Sequence, residues 1–146
     1  MIVHYLLDTN TVSHIAKGKS PAARAQLESL GEEDFACISS ITEAELRYGL
    51  AKRPGAHALH AAVEALLFKL RILPWGREEA AAYGELRAKL EAAGRVMGSL
   101  DMLIAAQAIV IGAVVVTNDK AFWQASESGL LSHATVRWAT DLASNK

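Results

Sequence analysis

The chain predicts an α/β fold with helices layered on both faces of a central parallel sheet of four or five strands, and three observations support this. Short β-rich apolar runs alternate with longer segments of helical periodicity along nearly the whole sequence. The clearest runs, Ile2-Val3-His4-Tyr5-Leu6-Leu7 and Val114-Val115-Val116, are almost continuously apolar. That pattern suits strands covered on both faces rather than on one. Acid-bearing polar segments follow the runs, as in Asp8-Thr9-Asn10 and Thr117-Asn118-Asp119.

Taken in order, Ile2 to Leu7 is the first strand, and a short helix over Thr11 to Lys17 stops at Gly18. Ser20 is placed to cap a second helix, with Pro21 at its first position, where a missing N–H leaves no bond unmade. That helix reaches about Leu30, and Gly31 ends it. Phe35 to Ser39 is the second strand. Ser40 or Thr42 then caps a third helix reaching Ala51, broken by Arg53-Pro54-Gly55. Ala56 to Leu70 carries Leu59, Val63, Leu66, Leu67 and Leu70 at helical spacing. Arg71 to Pro74 is a short strand, and Arg77 to Ala93 a fifth helix closed by Gly94. Ser99 caps a sixth helix ending near Gly112, and Ala113 to Thr117 is the next strand. Phe122 opens a short helix or turn, and Thr135 to Trp138 is an edge strand. No repeat and no low-complexity linker interrupts the pattern, so residues 1–146 read as one domain.

At 146 residues the chain can bury a sizeable core, and with 51% hydrophobic and 21% charged residues it should be compact rather than disordered. The net charge of -1 argues against a broad basic face, but leaves room for local cations. Cys37 is the only cysteine, so no internal disulfide forms; a cytoplasmic setting and a strand-core role are expected. No basic flank precedes the first apolar run, so no signal peptide is expected. The apolar stretch from Met102 to Val116 contains Gln107 and Gly112 and falls short of the roughly 20 residues of a membrane span.

Four acids fall where such a fold gathers its functional groups. Asp8 and Asp119 lie at carboxyl ends of strands, and Glu45 and Asp101 in the first turns of helices. Each has an ordinary structural reading. Asp8 could be a helix cap or turn residue, Asp119 a turn acid, and Asp101 a partner for a helix dipole. Glu45 completes a capping box with Thr42, but Ser40 and Glu43 make an overlapping one, and both cannot define a single helix start. One glutamate is therefore free for other work. Glu45 lies beside the Leu46 and Leu50 stripe, which makes it the partly buried one. No local reading explains all four together. Converging carboxylates repel and raise each other's pKa, so a hard divalent cation is the natural reason for them to meet.

Other chemistries lack their parts. His57 and His60 stand at i, i+3 with no third ligand at useful spacing. There is no Gly-x-Ser-x-Gly elbow, no Gly-x-Gly-x-x-Gly and no P-loop.

The segments Leu6-Leu7-Asp8-Thr9-Asn10, Ser40-Ile41-Thr42-Glu43-Ala44-Glu45-Leu46-Arg47-Tyr48-Gly49, Gly98-Ser99-Leu100-Asp101-Met102-Leu103-Ile104-Ala105-Ala106 and Val116-Thr117-Asn118-Asp119-Lys120-Ala121-Phe122 resemble the PIN-domain ribonucleases. Within them the chain is most similar to the VapC toxins of VapBC toxin–antitoxin pairs. The resemblance covers nearly the whole chain. It implies a PIN-like fold, a cytoplasmic endoribonuclease using Mg²⁺ or Mn²⁺, a homodimer, and a VapB-like antitoxin bound in a hetero-oligomer. Carried over residue by residue, the acidic site falls on Asp8, Glu45, Asp101 and Asp119, whereas Glu43 matches no acid of the family pattern. Asp8 and Asp101 are then expected to ligate the metal, with Glu45 and Asp119 acting directly or through water. Asn10 and Thr117 are candidates for orienting a ligand or water. Lys17, Arg47, Lys52, Arg53 and Lys120 could hold RNA phosphates. The alternatives are a phosphoaspartate receiver or phosphatase-like domain, which should carry a second acid where Asn10 stands, and a non-catalytic PIN-like binding module.

Overall fold

The computed structural model describes residues 2–131, 135, 136 and 138. Its elements are β1 (Val3–Leu7), α1 (Thr9–Ala16), α2 (Pro21–Glu28), β2 (Asp34–Ser39), α3 (Ser40–Ala51), α4 (His57–Lys69), β3 (Arg71–Leu73), α5 (Arg77–Ala92), α6 (Ser99–Ile111), β4 (Val114–Val116), α7 (Lys120–Glu127) and β5 (Thr135–Val136). The strands form one five-stranded parallel sheet in the order β3-β2-β1-β4-β5. The chain starts in the middle with β1, builds β2 and β3 to one side, then crosses to lay β4 and β5 on the other. The carboxyl ends of β1 and β4 therefore adjoin at the point where the winding reverses, the place where open α/β sheets form sites.

Adjacent residues of each strand serve opposite faces. Leu6 pairs in register with Cys37 and Val115, and all three join a core with Leu86 and Leu90 of α5, Ile104 of α6 and Phe122 of α7. Leu7 pairs with Val116, and with Ile38 they join a second core with Val12 and Ile15 of α1 and with Val63 and Leu67 of α4. This double burial explains the unbroken apolar strands. Cys37 is fully buried, and burial pushes its thiol pKa up.

The helix starts differ from the sequence reading in a consistent way. α3 is capped by Ser39, whose Oγ accepts the Ile41 N–H at 3.1 Å, and neither Ser40 nor Thr42 is the cap. Ser39 is also the last residue of β2, so strand passes to helix with no loop. Thr42 is fully buried and shares a 3.2 Å hydroxyl contact with Thr9, which ties α3 to α1. α6 is capped at Gly98, and Ser99 is its exposed first residue rather than its cap. α1 and α7 start earlier than expected because Asp8 and Asp119 are their N-caps. The predicted edge strand holds for Thr135 and Val136; Arg137 lies outside the described residues, and Trp138 is buried against Tyr5. Among the described residues no helix is long and apolar enough to cross a membrane.

Candidate active site

Asp8 follows the last residue of β1, and its backbone N–H continues the sheet by donating to the Val116 carbonyl at 3.1 Å. Its side chain is only 2% exposed, so both carboxylate oxygens need partners. Oδ1 accepts the Thr11 N–H at 2.9 Å, and Oδ2 accepts the Thr117 hydroxyl at 2.6 Å. Thr117 Oγ1 in turn accepts the Asp119 N–H at 3.0 Å. One buried hydroxyl thus bridges the ends of β1 and β4, holding the Asp8 carboxylate and the Asp119 backbone together. Asp119 Oδ1 accepts the Ala121 N–H at 2.9 Å, leaving its second oxygen for the site. The structural reading of Asp8 as a cap is correct, Asp119 is a helix cap rather than the turn acid expected, and capping is also what orients the two carboxylates.

Asp101 enters from the first turn of α6, close enough to Asp119 and Asp8 to feel the charge of both. The Asp101 pKa is pushed up to about 7, first by burial, then by the hydrogen bond and charge of Asp119, then by the charge of Asp8. Three of the predicted acids therefore act on one another. Among the described residues, no three acidic, histidine or cysteine side chains close around a single point in ligating geometry.

Glu45 stands apart from this trio. It is half-buried on α3 and lines a cavity of about 210 Å³ with Thr9, Asn10, Lys17 and Arg53. A neighbouring cavity of about 190 Å³ is lined by Asp8, Asp119, Asn118, Thr11, His14 and again Asn10. Asn10 is thus the common wall between the aspartates and Glu45. Glu43 points elsewhere: its Oε2 takes both Nε and a terminal nitrogen of Arg47 at 2.9 Å, while Arg47 also reaches Glu64 at 2.8 Å. The guanidinium is therefore neutralised by two carboxylates on the outer surface. Lys120 is exposed at the start of α7, beside Asp119. Of the tryptophans, Trp75 is half-buried and donates its indole N–H to the Leu103 carbonyl at 2.9 Å. His14 is a lining residue that sequence reasoning missed, as are Thr11 and Asn118. Its position one helical turn after Asn10 was the available signal.

The chain matches the family model described as PIN domain over residues 5–127. It is 35% identical over 115 residues to Ribonuclease VapC2 of Rickettsia felis, spanning 79% of this chain and 86% of that protein. It is likewise 35% identical over 118 residues to the tRNA(fMet)-specific endonuclease VapC of Salmonella typhimurium, spanning 81% and 88%. Among solved structures, a chain of the R. felis VapBC2 complex bound to a DNA fragment from its promoter superposes with a TM-score of 0.83 at 30% identity, covering 93% of this chain and 99% of that one. The whole three-layer fold is therefore shared, and the receiver-like and non-catalytic alternatives lapse. The chain belongs to the PIN-domain family, and within it to the VapC ribonucleases, the toxins of VapBC toxin–antitoxin systems.

Proposed function

We propose that this ribonuclease toxin hydrolyses RNA phosphodiesters at the junction of β1, β4 and α6, with Asp8, Asp101, Asp119 and Glu45 as its catalytic carboxylates. The observation that carries the reading is that Thr117 ties Asp8 to the backbone of Asp119 on the wall of one cavity, with Asp101 near enough for both charges to push its pKa up. Such a gathering of acids is unfavourable in the absence of a compensating positive charge, and the donor set is all oxygen, which fits Mg²⁺ with Mn²⁺ as a substitute. Asp8 and Asp101 would hold the cation, with Asp119 and Glu45 assisting directly or through water. When bound, the cation supplies charge neutralisation at the phosphate and a more acidic water. The rest is work for the chain itself. Thr117 holds Asp8 in one orientation through its 2.6 Å hydrogen bond, and Asn10 offers an amide to a water or a ribose between the aspartates and Glu45. In-line attack would leave a 5′-phosphate and a 3′-hydroxyl.

Initiator tRNA is the first substrate to test, because the Salmonella relative is named as specific for it. A VapB-like antitoxin, a homodimer, a toxin–antitoxin hetero-oligomer and a cytoplasmic location complete the reading; the solved VapBC2 of R. felis, bound to promoter DNA, supports the antitoxin partner. The purified protein should cut tRNA with Mg²⁺ or Mn²⁺ and stop in EDTA. Asp8→Asn and Asp101→Asn should each lower the rate roughly 100-fold or more. Full activity in Asp101→Asn would remove that residue from the site, and cutting that persists in EDTA would point to a contaminating ribonuclease.

A further inference from the structure

We infer that the cations Lys17, Lys19 and Arg53 form a second phosphate-binding subsite, which holds the RNA strand after it has left the carboxylate cavity. The inference rests on the ribonuclease site proposed above and adds the path of the substrate across the surface. Three adjoining cavities mark that path. The aspartate cavity shares Asn10 with the Glu45 cavity. The Glu45 cavity shares Lys17 and Arg53 with an outer cavity of about 500 Å³, which Lys19 also lines. α1 sets the distance: from Asp8 at its N-cap to Lys17 at its C-cap the helix rises roughly 13 Å at 1.5 Å per residue, so the subsite meets a phosphate beyond the scissile one.

The chemistry of the groove changes along this line. It is acidic where the bond is cut and basic where the strand would exit. All three cations are exposed at the surface. Arg47, by contrast, has its guanidinium neutralised by Glu43 and Glu64. In a chain of net charge -1, a local group of cations is what gives a polyanion a preferred direction. The floor of the Glu45 cavity is apolar, made by Leu46, Leu50, Leu59 and Val63, which suits a base lying under a phosphate held at the rim. An acidic peptide would be drawn to the cations as well, but it would gain nothing from continuity with a phosphodiester-cleaving centre.

The test uses the full-length triple variant Lys17→Gln, Lys19→Gln, Arg53→Gln, with folding checked by its Tm. For tRNA, KM should rise about tenfold with kcat nearly unchanged. The slope of log(kcat/KM) against log salt should become shallower by about 2, from roughly 0.7 for each of three phosphate contacts to a single strand. For a dinucleotide, too short to reach the subsite, variant and wild type should be equal. In EDTA, the affinity of Asp101→Asn protein for uncut tRNA should fall when the three changes are added, which tests the subsite even if the cleavage assignment is wrong. An unchanged salt slope, or equal losses on tRNA and dinucleotide, would overturn the subsite. So would weakened binding of an acidic peptide with tRNA kinetics intact, which would give the surface to a protein partner.

Discussion

On the β1–β4 side of the site, Asp8, Thr117 and Asp119 are built into the backbone, each accepting or donating bonds that also start a helix or extend the sheet. Across Asn10, Glu45 sits half-buried on the wall of a separate cavity, in the second turn of α3 rather than the first turn expected, beyond a helix start that the Ser39 side chain caps. The first side cannot move without disturbing the fold, whereas the second can lose its carboxylate and keep its helix. A change on the first side should therefore alter stability and activity together, and a change on the second should alter activity alone. Asp101 belongs to the first side by contact but works against it, because it introduces charge where the site is already negative.

The largest effect should come from Asp101→Asn, where activity and stability move in opposite directions. The folded-state pKa of about 7 lies above the ordinary value of 3.8, so the folded protein holds this proton more tightly than the unfolded chain does. That contribution to stability is complete below about pH 4 and is lost as pH rises through about 7. In EDTA, the variant should therefore melt above the wild type at pH 8, and the difference should shrink toward pH 4. Excess Mg²⁺ should raise the wild-type Tm at pH 8 more than that of the variant, since a ligand stabilises only the fold that binds it. Equal Tm values at pH 8 in EDTA would mean that the Asp101–Asp119 contact carries no strain.

Thr117→Val tests the built-in side with almost no change of shape. The substitution leaves a buried Asp8 oxygen and the Asp119 N–H without the hydroxyl that joins them, which should cost about 1–3 kcal/mol of stability. The freed Asp8 carboxylate should lower kcat by roughly tenfold, within the range seen when groups that orient a metal ligand are lost. Thr117→Ser keeps the hydroxyl and should recover most of both. A Thr117→Val protein with normal kcat and lowered Tm would make the hydroxyl structural only.

How far the sequence revealed this site follows from what each residue depends on. The strands were legible because burial on both faces writes itself as unbroken apolar runs, as at Leu6-Leu7 and Val115-Val116. Asp8 and Asp119 were legible because a strand end followed by a helix fixes where a side chain must point. The helix caps were less so: Ser39, Ser40 and Thr42 are chemically equivalent caps, and only the direct passage from β2 into α3 selects the first. The fate of Arg47 was hidden for the same reason. Its partner Glu43 is one turn away in sequence, but Glu64 arrives from α4 through tertiary packing. His14 escaped notice because a lone histidine on a short helix carries no pattern of its own.

The smallest effects should come from α3, and these sharpen the choice between its two glutamates, one on the cavity wall and one on the outer face. Glu45→Gln removes a charge from the cavity wall while keeping its shape, so kcat on tRNA should fall and the Tm should stay put. Glu43→Gln loosens an exposed pair that Glu64 can still satisfy, and surface ion pairs contribute little, so neither kcat nor Tm should move. Arg47→Gln should behave like Glu43→Gln, with KM for tRNA unchanged, because a guanidinium held by two carboxylates has little charge left for a phosphate. A KM rise in Arg47→Gln as large as that expected from losing Lys17, Lys19 and Arg53 would show that RNA breaks both ion pairs on binding. The strand would then cross α3 on its outer face rather than follow the groove past Asn10.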